Sequence, residues 1–244
     1  MIIGERKPFV EIIEMLGDNK NVLVLGCGTC VSVCFAGGKK EAGILASELN
    51  INAKLKRKEL NAEEFTVERQ CEAEFADVVR ARIEAADVVL SLACGIGVQT
   101  FAEIFPDKSI LPGLNTTFIG WPVEPGVWVE NCRSCGNCVL HVTDGVCPIS
   151  RCPKNLLNGP CEGITDEGKC EVNNDEDCAW NLIYGRLKEK GNLGLFETIH
   201  PAFDWCPAGY GGVRKIVRED LTMEHMAPKE EPEAETAEEE GEEK

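Results

Sequence analysis

Fourteen of the 244 residues are cysteine, and five of these fall within the stretch ENCRSCGNCVLHVTDGVCPISRCPK, residues 130–154. Thiols at that density can pair as disulfides, hold zinc, or hold iron–sulfur clusters. The first segment, MIIGERKPFVEIIEMLGDNK, mixes charged residues with Ile and Leu. It lacks the basic-then-apolar layout of a secretory leader, so the sequence reads as cytoplasmic. Reducing pools there keep thiols from pairing, which favours metal over disulfides. Only three histidines accompany the cysteines, His141, His200 and His225. Zinc sites often recruit imidazole, whereas iron–sulfur clusters are held mostly by thiolates alone, so the balance leans to clusters.

Spacing divides the thiols into two groups. Cys27, Cys30 and Cys34 follow one another as C-x2-C-x3-C after an apolar run, Cys94 follows a second such run, and Cys71 begins a helical pattern. That makes five thiols for four positions; for Cys34 or Cys71 alone, a small buried hydrophobe is an equally good description. GCGTC after a strand also suggests a nucleotide loop, but Val31 stands where the dinucleotide fingerprint needs its third Gly. The second group starts with Cys132-x2-Cys135-x2-Cys138, the run of bacterial ferredoxins, in which a Cys-Pro completes the set after three residues. Here Cys147-Pro148 comes after eight, and Cys152-Pro153 follows. Cys161, Cys170 and Cys178 bring the group to eight thiols, the requirement of two four-iron clusters. Four-cysteine zinc is the competing use of such C-x2-C pairs. Spacing does not fix which thiols share a centre. Cys206, between Trp205 and Pro207, reads as a packed free thiol.

Two kinds of element must position these groups. Asn21–Gly28 (NVLVLGCG) and Asp87–Gly95 (DVVLSLACG) read as buried parallel strands, and AKLKRKEL as a polar strand between them. KKEAGILASELN, CEAEFADVVRARIEAA and IGVQTFAEIFP read as helices, the last stopped by Pro106, and KSILPGLNTTFIG holds further short strands. Alternation of this kind predicts an α/β fold, a Rossmann-like parallel sheet flanked by helices, over residues 1–120. In such sheets ligands gather beyond the carboxyl ends of the strands, where Cys27 and Cys94 would share one edge. Residues 121–225 form the expected second part, an irregular Cys-rich metal-cluster domain with one helix near 176–190. It has little apolar periodicity, so bound metal would supply part of its stability. Residues 226–244 read as a disordered acidic tail; nine Glu and two Lys fall between 229 and 244. The net charge of −17 argues against nucleic acid or an anionic membrane surface as partner, and no apolar run is long enough to span a bilayer. There is no Ser/His/Asp set, P-loop or carboxylate pair that would make a catalytic site.

These residues resemble a known family. CRSCGNCVLHVTDGVCPISRCPKNLLNGPCEGITDEGKCEV, followed by CAWNLIYGRLK, is similar to the C-terminal domain associated with methylenetetrahydrofolate reductases, with Glu162 standing where that pattern has Gly. VLVLGCGTCVSVCFAGGKKEAGILASEL, RQCEAEF, LSLACGIGVQTFAE and LPGLNTTFIG extend the likeness over residues 1–222 to the small iron–sulfur subunit of such reductases, the MetV type. The resemblance implies a separate catalytic subunit, a TIM barrel carrying FMN and the folate, within the one-carbon metabolism (Wood–Ljungdahl pathway) of anaerobes. This chain would be its cytoplasmic electron-transfer subunit. It would pass electrons from ferredoxin or a larger redox complex to the FMN, for reduction of methylenetetrahydrofolate to methyltetrahydrofolate. The expected cofactors are two or three [4Fe-4S] clusters, on thiols drawn from Cys27, Cys30, Cys34, Cys71, Cys94, Cys132, Cys135, Cys138, Cys147, Cys152, Cys161, Cys170 and Cys178, with zinc as the alternative at one site. A structural zinc-binding adaptor of the same reductase is the rival function. A stand-alone enzyme with substrate on an open cluster position is the third.

Overall fold

A computed structural model describes residues 1–222. The expected tail, 226–244, lies outside the described residues. The chain divides into two units, Met1–Phe203 and Asp204–Lys244.

The first unit is built on a four-stranded parallel sheet. Its strands are β2 (Asn21–Cys27), β3 (Asn61–Val67), β4 (Val88–Ser91) and β5 (Ile110–Pro112), in the order β3-β2-β4-β5. Both faces are covered, and alternate residues of β2 show how. Val22 and Val24 pack with Ile12 and Leu16 of helix α1 (Phe9–Leu16), and with Ala42, Leu45 and Leu49 of α3 (Lys39–Lys56). Leu23 and Leu25 pack with Val79 and Ile83 of α4 (Ala76–Ala85), and with Phe101 of α5 (Gly95–Ile104). Each of the buried Val, Leu and Ile side chains among these contributes about 1.5–3 kcal/mol of transfer free energy. The parallel sheet flanked by helices is thus as the alternating pattern predicts. The order places the reversal of the chain between β2 and β4, the crevice where open α/β sheets collect ligands.

Two expectations change. The segment AKLKRKEL is no strand. Helix α3 runs on through Lys56 because Leu49 and Ala53, four apart, prolong its buried face, and Arg57 closes it in a left-handed conformation (φ 54°). The edge strand β3 starts only at Asn61. Its backbone is covered by Asn50 of α3, which accepts from the Ala62 N–H and donates to the Ala62 carbonyl, both at 2.8 Å. The first residues also hold a strand, β1 (Ile2–Arg6), that joins β6 (Leu114–Glu124) and β7 (Val127–Cys132) in an antiparallel sheet of order β1-β6-β7. The division expected at 120/121 therefore falls inside β6. Gly120 is required there, since a Cβ would stand 2.0 Å from the Val129 carbonyl oxygen.

Beyond β7 come a one-turn helix, α6 (Pro148–Arg151), a small ribbon of β8 (Lys169–Cys170) and β9 (Asn173–Asp177), and α7 (Ala179–Glu189). This region has a core of its own. Trp180, Ile183 and Leu187 of α7 are buried with Val146 and Cys152, and Phe196 packs edge-on to Trp180 at 5.8 Å between ring centroids. Gly191, at φ 70°, follows the last turn of α7. In the second unit the described residues form short 3-10 turns, Cys206–Ala208 and Glu219–Leu221. Cys206 is exposed there rather than packed, and Asp204 beside it raises its thiol pKa. Among the described residues no helix is long and apolar enough to cross a membrane.

Candidate metal centres

The crevice between β2 and β4 receives thiols from three strand ends. Cys27 closes β2, and its neighbour across the sheet, Val67, closes β3. Four residues beyond Val67 stands Cys71. Cys94 caps the start of α5, three residues after β4 ends at Ser91. Cys71 is pushed above the ordinary thiol range, first by partial desolvation and then by the Cys27 thiol, with smaller contributions from Cys94 and Glu72. Cys27 and Cys94 therefore both stand near Cys71. Repulsion among thiolates is what a cationic metal core relieves, so the donor set fits such a group. The turn after Cys27 comes close to β3: Gly28 N donates to the Val67 and Glu68 carbonyls at 2.9 and 3.1 Å. The Cys27 Sγ lies 3.8 Å from both the Glu68 carbonyl and the Thr29 hydroxyl.

Cys30 heads the short helix α2 (Cys30–Val33), three residues on from Cys27, and is half-buried. Cys34 is buried, and its Sγ donates to Gly4 O at 3.7 Å and Val31 O at 3.5 Å. It thus sits in the seam between α2 and β1, among the core side chains that include Ile3 and Leu114. Of the five thiols expected for this group, Cys34 is the one bonded to β1.

Four further thiols line one cavity. Cys152, Cys161, Cys170 and Cys178 surround a small cavity of about 20 Å³, partly open to solvent, together with Trp180, Ile164 and Lys154. Each is placed by a different element. Cys152 follows α6, its N–H on Pro148 O at 2.9 Å, and Cys178 caps α7, its N–H on Gly168 O at 3.0 Å. Cys170 lies in β8, whose Lys169 pairs with Asp177 of β9 at 2.7 Å and so brings Cys178 alongside. The loop carrying Cys161 is pinned twice. Trp180 Nε1 donates to Leu156 O at 3.1 Å, and the Asn158 amide bonds the His200 backbone at 3.1 and 2.6 Å. Lys154 Nζ donates to Cys161 Sγ at 3.6 Å and is paired with Glu171. That pairing raises the Lys154 pKa and lowers that of Glu171. Lys154 and Glu171 carry no sequence signal, since ordinary surface charges look the same.

The remaining thiols occupy the junction of β7 and α6. Cys132 ends β7 and accepts from Ser134 N at 3.4 Å, while Cys135 is buried with its Sγ on Asn137 O at 3.6 Å. Cys138 is exposed, and Cys147 caps α6. The Ser150 hydroxyl donates to both Asn131 O (3.0 Å) and Cys147 O (3.4 Å), tying the strand end that bears Cys132 to the helix start that bears Cys147. Left-handed backbone at Ser134 (φ 52°) and Gly136 (φ 82°) folds the C-x2-C-x2-C run back on itself. His141 is exposed and His200 half-buried; neither has a side-chain bond to a thiol. Among the described residues no three His, Cys, Asp or Glu side chains stand in single-ion geometry. The thiols of a four-iron cluster bind one iron each rather than a shared ion.

Residues 111–206 match the family described as methylene-tetrahydrofolate reductase C terminal. That segment is similar to this reductase-associated family. It contains β6, β7, α6, α7, the thiol-lined cavity and the β7–α6 junction, whereas the Cys27–Cys71–Cys94 crevice lies before it. Comparisons with curated proteins and with solved structures give no match.

Proposed function

We propose that this chain is the electron-transfer iron–sulfur subunit of a methylenetetrahydrofolate reductase. The observation that carries the reading is the cavity walled by Cys152, Cys161, Cys170 and Cys178, within the segment that matches the reductase family. The chain's thiols sort into three sets of four. Cys27, Cys30, Cys71 and Cys94 would hold one centre, with Cys34 left as a packed thiol. Cys132, Cys135, Cys138 and Cys147 would hold a second, and the cavity residues a third. Bound [4Fe-4S] clusters supply one-electron transfer at potentials set by charge and hydrogen bonds. The protein's part is to hold the thiols at fixed places, donate N–H groups such as Ser134 N to sulfur, and shield the centres with Trp180 and the sheet core. Reduction of methylenetetrahydrofolate to methyltetrahydrofolate consumes two electrons and two protons. The chemistry would take place on a separate FMN-bearing subunit, with ferredoxin or a larger redox complex as donor.

The test is anaerobic mixing of the dithionite-reduced chain with the oxidised flavin subunit. Flavin bleaching should depend on this chain and should be lost when Cys152 and Cys178 are replaced by Ser. Equal bleaching by the physiological donor without this chain would refute the proposal. Structural zinc is the rival use of four thiols. In that rival case, zinc-loaded chain would support the partner's turnover as well as iron-loaded chain does.

A further inference from the structure

Two of the buried polar side chains in the fold lie directly beneath the crevice thiols. Gln70 and Ser91 are fully buried. Gln70 Nε2 donates to the Leu25 and Gly26 carbonyls at 2.9 and 3.1 Å, and its Oε1 accepts from Ser91 Oγ at 2.7 Å. Ser91 Oγ in turn accepts from Ala93 N at 3.2 Å. The pairing of β2 with β4 ends at Leu25 opposite Ser91; the Leu25 carbonyl also accepts from Leu92 N at 2.8 Å, and Gly26 is paired with Thr66 of β3. A buried amide needs partners, and Gln70 finds them by adding a second bond to each of these carbonyls where the two strands part. One side chain thus ties the residue before Cys27 to the end of β4. The same residue immediately precedes Cys71, and through Ser91 it reaches the N–H of the residue before Cys94. Helix α5 closes over it: a Cβ at Gly97 would stand 2.8 Å from Gln70 Cβ and 2.8 Å from Ala93 Cβ.

From this geometry we infer that Gln70 is a positioning residue, which through Ser91 holds Cys27, Cys71 and Cys94 in register for a common metal centre. The inference rests on reading that crevice as such a centre. A fully buried amide that is adjacent to Cys71, bonded to the residue before Cys27 and linked through Ser91 to the residue before Cys94 does more than fill a core, where an apolar side chain would serve without needing partners.

The experiment has one metal-free and one metal-loaded arm, both on the full chain. In the apo chain, phenylarsine oxide bridges two nearby thiols with loss of water, and peptide mass mapping reads which ones. Wild type should give Cys27–Cys71 and Cys71–Cys94 bridges. Gln70→Leu and the milder Ser91→Ala should lower their yield about tenfold, the effect of losing one or two net hydrogen bonds. Bridging of Cys152 with Cys178 should not change. After anaerobic iron–sulfide reconstitution, Ser91→Ala should shift the midpoint potential and EPR signature of one centre only. Unchanged bridging and potential in Ser91→Ala would overturn the inference. So would an equal loss across all thiol groups, which marks a general folding role. Bridges that depend on Gln70 in a chain that takes up no iron on Cys27 would keep the positioning role and sink the iron–sulfur reading instead.

Discussion

At the residue scale the chemistry turns on one thiol, Cys71, made costly to ionise. Cys71 sits above the ordinary value of 9.0 because of desolvation and its sulfur neighbours. A metal must displace that proton, so uptake strengthens as pH rises. Because the thiol pKa is raised, the rise should continue above pH 9.0, where an unperturbed thiol is already half ionised. Cadmium titration of the apo chain should show this, and Cys71→Ser should flatten the upper part of the curve; a wild-type affinity constant from pH 7 to pH 10 would contradict it. In the cavity, Lys154 brings a cation to 3.6 Å from Cys161 Sγ. Lys154→Gln removes a positive charge that favours the extra electron, so the potential of that centre should fall while the others hold. A redox titration followed by EPR reads the change, and an unmoved or raised potential goes against it. The cysteines themselves are plain in the sequence, down to the ferredoxin-like run. Gln70 and Lys154 are not, because a polar residue in a turn has no period and no partner visible along the chain.

Among the elements, strand ends and helix caps do the placing. Cys27, Cys94, Cys132, Cys147 and Cys178 all stand where a strand stops or a helix starts. Two elements can be tested separately. Gly37 lies against β4, and a Cβ there would be 1.9 Å from the Leu92 carbonyl oxygen. Gly37→Ala should therefore cost about 1–3 kcal/mol in denaturant unfolding, by forcing the loop after Cys34 off the sheet; an unchanged midpoint would show that the contact relaxes freely. Ile183 is fully buried in α7. Ile183→Ala should cost about 2–5 kcal/mol and loosen the cavity thiols, with iron lost there before it is lost from the crevice. The buried strands and most helices were legible because their apolar periods are unbroken. Strand β1 was not, since its pairing with β6 spans more than a hundred residues and IIGER has no strong alternation. AKLKRKEL misled because a helix end rich in Lys looks the same as a polar strand.

For the whole molecule, the parallel sheet brings one thiol set to its crevice, and a second small core around α7 presents another at a cavity. The reductase-related segment covers the latter and leaves the crevice outside it. Grouping of the thiols was not legible from spacing, because Cys152 and Cys178 meet through the fold across two dozen residues that include a ribbon. An electron-transfer role needs iron–sulfur clusters in two or three of these sets. The most direct measurement is iron and acid-labile sulfide per chain after strictly anaerobic purification, with zinc measured on the same sample. Three four-iron clusters give about twelve iron and about twelve sulfide in a brown protein that dithionite bleaches; a colourless protein carrying zinc and no sulfide would contradict the account.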